Sequence, residues 1–101
     1  MPFYGNNYVS ASEEILWTGR FVKDEQVDRV VLTSKKIIRY ATKSVTLMPL
    51  RAIRKIDCRR QDKAGVFVTI LADNELYLEL FFENDDELFK QFLQILSEKL
   101  D

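Results

Sequence analysis

The stretch VFVTILADNELYLELFFENDDELFKQFLQILSEKL, residues 66–100, changes its hydrophobic period partway along, and that change decides the fold. Up to Phe82 the period is two. Leu76, Leu78, Leu80 and Phe82 share one side of a strand predicted from Glu75 to Phe82. Val66 to Ala72 reads as the strand before it, with Asp73-Asn74 as a tight turn. Beyond Asn84 the period becomes helical. Leu88, Phe89, Phe92, Leu93, Leu96 and Leu100 form one apolar stripe, which predicts a helix from about Asp85 to Leu100. Asn84 suits the N-cap, and Glu87 stands three residues on, as in a capping box. Asp85 and Asp86 fall in the first turn, where the helix dipole favours negative charge. Capping explains the run Asp85-Asp86-Glu87 better than a metal site does.

Working outward from this segment, the chain before it reads as five more short strands: Ile15 to Val22, Arg29 to Thr33, Lys36 to Ala41, Val45 to Met48 and Ile53 to Arg60. Charged or polar turns separate them, at Lys23 to Asp28, Ser34-Lys35 and Asp62 to Gly65, and Pro49 ends the fourth strand. Strands in series with short links pair antiparallel, because parallel neighbours need long crossovers. Seven of them in a small domain must curl into a barrel or split into two sheets. The expectation is therefore a mostly β (α+β) fold: a seven-stranded antiparallel barrel or sandwich capped by one C-terminal amphipathic helix. Residues 1–12 read as a lead segment, with Phe3, Tyr4 and Tyr8 interleaved with Gly5, Asn6 and Asn7. Part of it is expected to pack on the body. Residues 13–101 read as one domain with one core.

Composition narrows the function. At 47% hydrophobic the chain of 101 residues has enough apolar surface to offset the chain entropy lost on folding. Histidine is absent, so the usual general acid–base residue is missing and a zinc site of ordinary ligands has no basis within one chain. The three glycines are scattered, which leaves no phosphate-cradling loop. Cys58 stands alone, and it reads as a buried structural thiol in a reducing compartment. With no signal-like start and no apolar run near the roughly 20 residues of a membrane helix, a cytoplasmic, non-enzymatic protein without cofactor or metal is expected. The net charge of -1 hides an asymmetry. From Arg20 to Lys63 there are 13 Lys and Arg against 5 Asp and Glu, whereas from Ala64 to Asp101 there are 2 against 9. Such a bipolar chain suits head-to-tail docking or an anionic partner.

Three stretches carry a family likeness: Glu13-Glu14-Ile15-Leu16, Val31-Leu32-Thr33-Ser34-Lys35-Lys36-Ile37-Ile38, and Met48-Pro49-Leu50-Arg51-Ala52-Ile53-Arg54-Lys55-Ile56. Together with the order of elements they resemble the bacterial pleckstrin-homology-like (PH-like) family, over about residues 13–100. The resemblance implies a recognition module, and a branch known in part for self-assembly. The chain departs from the better-known eukaryotic pattern in two places. Its helix carries Phe89 and Phe92 where those domains carry tryptophan. Its first hairpin loop, Lys23 to Arg29, holds three acids against two bases, which argues against phosphoinositide binding by that route.

The residues themselves nominate a binding surface. In the last two strands Phe67, Leu71, Tyr77 and Phe81 oppose the alternating apolar face, so both faces carry apolar side chains. A sheet solvated on one side alternates apolar with polar. Either both faces are covered or one meets a partner, most economically a second copy in a homo-oligomer, or another protein. Arg54 and Arg59 of the basic fifth strand are expected to contribute. A second surface, for anionic membrane lipid, would use Lys23, Arg29 and Lys43 near loop ends. The basic run from Arg51 to Lys63 spreads over both strand faces without interleaved aromatics, which argues against nucleic acid.

Overall fold

The computed structural model describes residues 8–23, 26–61, 64–83 and 86–100. Seven strands form two antiparallel sheets, in the orders β1-β2-β3-β4 and β5-β6-β7, rather than a closed barrel. One C-terminal helix follows. The chain divides into two compact units, Met1–Leu50 and Arg51–Asp101, each holding one sheet. Among the described residues no helix is long and apolar enough to cross a membrane.

In the first unit β1 is Ile15–Lys23, β2 Gln26–Thr33, β3 Lys36–Tyr40 and β4 Val45–Pro49. The predicted turn from Lys23 to Asp28 is shorter than expected, because the β1–β2 ladder runs on to Lys23 opposite Gln26. Consecutive apolar residues bury the central strands on both faces: Val30, Val31 and Leu32 in β2, Ile37 and Ile38 in β3. Trp17 and Met48 add to the core from the flanking strands. The indole of Trp17 lies across Gly19, where any Cβ would overlap the ring. Of the lead segment, Tyr8 packs edge-on to Tyr40 with ring centroids 5.8 Å apart. Phe3 and Tyr4 lie outside the described residues.

The three stretches behind the family likeness meet, in part, at one end of this sheet. Thr33 is fully buried, and its hydroxyl accepts from the backbone N–H of Lys35 at 3.1 Å and of Lys36 at 3.0 Å, which holds the β2–β3 turn. The same hydroxyl donates to Glu13 Oε2 at 2.6 Å, and Lys36 Nζ donates to Glu13 Oε1 at 2.9 Å. Ser34 N donates to the Glu14 carbonyl, and Leu50 N to the Lys35 carbonyl, both at 2.9 Å. Burial pushes the Glu13 carboxyl up in pKa. The Ser10 backbone N–H, the Thr33 hydroxyl and the Lys36 ammonium outweigh it and bring the group down to about 2.

In the second unit β5 is Ile53–Gln61, β6 Gly65–Ala72, β7 Tyr77–Glu83 and α1 Asp86–Leu100. The apolar alternation falls as the period-two reading has it: Val66, Val68, Ile70, Leu78, Leu80 and Phe82 are all buried. Cross-strand pairing puts them on one face. Helix α1 packs on that face through Phe82, whose ring lies 5.5 Å from Phe89 and 5.6 Å from the fully buried Phe92. The predicted capping box rests on Asn84, which with Asp85 lies outside the described residues. Strand β7 begins two residues later than expected, because Asn74 and Glu75 take left-handed backbone at φ 63° and 61° in a 3₁₀ turn over Asp73–Glu75.

Candidate functional site

The opposite face of the β5-β6-β7 sheet is the open one. Register places Phe67 of β6 between Arg59 of β5 and Phe81 of β7, and Leu71 between Lys55 and Tyr77. Asp57, Thr69 and Glu79 form the row between these two, and Gln61, Gly65 and Glu83 the row beyond Phe67. Phe67 and Phe81 are half-buried against each other, with ring centroids 4.6 Å apart. Tyr77 is 62% exposed and Leu71 37%. Register thus sets the four nominated apolar residues on one face, on which Tyr77 and Leu71 stand exposed.

Charge divides across the same face. Its β5 edge presents Lys55 and Arg59, with Asp57 between them and 3.6 Å from Lys55 Nζ. Its β7 edge presents Glu79 and Glu83, both exposed. Part of the imbalance along the sequence therefore becomes a polarity across one three-stranded sheet. Glu79 and Glu83 had no signal beyond alternation with leucine and phenylalanine, and the sequence does not single them out. Gly65 lets the two strands meet at this end: it sits at φ 148°, and a Cβ there would strike the Phe82 carbonyl.

Arg54 does not join this face. It sits in a bulge between Ile53 and Lys55, and its guanidinium Nε donates to Asp73 in the turn before β7. That carboxylate raises the arginine's pKa by hydrogen bond and charge. Arg54 staples β5 to the 3₁₀ turn, while Arg59 keeps an exposed place on the open face.

Cys58 is exposed, not buried as the sequence suggested. It pairs with the fully buried Val68 across the ladder, but among the described strands β5 is the edge of its sheet. Partial burial and the neighbouring Asp57 push the thiol's pKa up, so it stays protonated at neutral pH and makes a poor nucleophile. Among the described residues no three metal-ligating side chains converge.

The residues nominated for lipid lie on the first unit. The β1–β2 and β3–β4 turns emerge from the same end of its sheet, as antiparallel order requires. Lys43 is exposed in the second of these turns. Lys23 ends β1, and its side chain lies outside those described. Arg29 stands within β2, paired with Tyr40, and not at its end, because the strand starts at Gln26. Register also sets Arg29 on one face with exposed Val27, Val45 and Leu47, an apolar group that sequence reading missed. The alternation of β4, Val45-Thr46-Leu47-Met48, carried that signal, but it could not say which side faced the core.

Compared with protein-family models, curated proteins and solved structures, the chain shows no significant match to any.

Proposed function

We propose that this protein is a non-enzymatic, PH-like interaction module that self-associates into a homo-oligomer through the outer face of the β5-β6-β7 sheet. One observation carries the reading. Tyr77 and Leu71 stand exposed beside the Phe67–Phe81 pair, on the face that α1 leaves open. Clustered apolar side chains of this size favour a partner over water. The exposed lone thiol of Cys58 suits a reducing compartment, so a cytoplasmic site of action goes with the proposal.

The test is solution mass by light scattering on a size-exclusion column. The expected result is a mass above the 11.9 kDa of one chain that falls towards it in a Leu71→Ser/Tyr77→Ser variant of unchanged circular dichroism. A wild-type chain that stays at one chain's mass up to millimolar concentration overturns the proposal.

A second reading, as a peripheral binder of anionic membrane lipid, is supported by the two turns at one sheet end and by exposed Lys43, with Arg29 on the face of Val45 and Leu47. Pelleting with phosphatidylserine vesicles at low salt tests it. A chain left in the supernatant removes that reading.

A further inference from the structure

The polarity of the open face selects how a second copy would sit on it. Resting on the self-association just proposed, we infer that two chains dock the outer faces of their β5-β6-β7 sheets about a two-fold axis running along β6.

Two identical sheets stacked face to face can be related by a two-fold axis in the plane between them in two simple ways. An axis across the strands sets β5 on the partner's β5 and β7 on the partner's β7. The Lys55 and Arg59 pair then faces the same pair of the other chain, and the Glu79 and Glu83 pair likewise, so each edge opposes like charge. An axis along β6 exchanges the edges. The β5 edge of each chain then lies over the β7 edge of the other, and Lys55 and Arg59 come within reach of Glu79 and Glu83 twice over. Strand β6 meets itself, so Leu71 and Phe67 stack on their own copies along the axis, flanked by Tyr77 and Phe81. Asp57 falls opposite Glu79 in this arrangement, but it sits between two cations on its own strand, and Lys55 lies 3.6 Å away. The β5 edge as a whole remains positive and the β7 edge negative.

The arrangement is isologous, so the same patch serves both chains and the assembly closes at two. It also matches the division of the face, with an apolar line along the axis and charge at both rims.

The experiment is cross-linking between defined rows in a Cys58→Ser background, which removes the native thiol. Asp57→Cys and Glu79→Cys are made in separate chains, both at exposed positions of the central row. The probe is a short bismaleimide spanning roughly the 10 Å between stacked sheets. The axis along β6 predicts efficient linkage when the two variants are mixed, and at least fivefold less when either is treated alone. If Glu79→Cys chains link to one another as well as the mixture does, the axis lies across the strands. The inference then fails while self-association through this face stands. If light scattering shows a dimer but no combination links, the dimer uses another surface and both the axis and the face are wrong. A monomer by light scattering removes self-association itself.

Discussion

At the scale of single residues, Glu13 is the most informative side chain in the first unit. Only 2% of it is exposed, yet it stays ionised because Ser10, Thr33 and Lys36 all donate to it. Its folded pKa of about 2 lies below its ordinary 4.5. A depressed carboxyl stabilises the fold fully above its unfolded pKa, and that contribution drains away as pH falls from about 4.5 towards 2. We expect Glu13→Gln to lose roughly 1–2 kcal/mol at pH 7, allowing for solvent screening, and to flatten the stability profile over that acid window. Urea titrations at pH 7, 4.5 and 2.5 check this, and parallel profiles for the two proteins would refute it. Thr33 makes a complementary case. A Thr33→Val change keeps the shape but strands the N–H groups of Lys35 and Lys36 and one oxygen of Glu13. It is expected to cost about 1–3 kcal/mol in the same titration. These contacts give the first two family-like stretches a structural role, since both converge on one hairpin turn.

At the scale of elements, the two sides of β7 are expected to respond differently to truncation. Phe92 of α1 is fully buried against Phe82, and Phe92→Ala should cost about 3–5 kcal/mol by leaving a cavity. Phe81 faces the open side, half-buried on Phe67, and Phe81→Ala should cost no more than about 1–2 kcal/mol in the separated chain. Chemical denaturation at micromolar concentration distinguishes them, and equal losses would mean the outer face is not open. This division was legible in the sequence, because a period of two fixes which residues share a face and a period of 3.6 fixes the helix stripe. What the sequence hid was set by tertiary context. Cys58 alternates with Ile56 along β5 and pairs with buried Val68, and the strand order puts it on an exposed edge. Glu75 has no sequence mark of left-handed backbone, and Arg54 no mark of the bulge that removes it from the open face. The apolar group at Val27, Val45 and Leu47 depended on the register of the first sheet, which no residue pattern pins.

At the scale of the whole molecule, the question is whether charge or apolar contact governs assembly, and charge reversal separates them. Reversing one edge, with Lys55→Glu/Arg59→Glu or with Glu79→Lys/Glu83→Lys, makes both edges alike, so either variant alone sets like charge against like in the two-fold pair. Mixed one to one, the variants restore opposite charge at both rims. The apolar line of Phe67, Leu71, Tyr77 and Phe81 is untouched throughout. Exposed ion pairs contribute about 0.2–1 kcal/mol each, so the loss in each variant should be five- to fiftyfold in dimer affinity rather than abolition. The mixture should recover most of it. Salt acts the same way: raising it from about 0.05 to 0.5 M shortens the screening length severalfold and should weaken the wild-type dimer more than the single-edge variants. Because the proposed pair is closed, mass should level off at two chains of 11.9 kDa as concentration rises. A head-to-tail arrangement of the same charges would instead keep growing, since each added chain leaves one β5 edge and one β7 edge free. A plateau at two with rescue in the mixture fits the two-fold pair, whereas rescue accompanied by unlimited growth would transfer the same residues to an open filament.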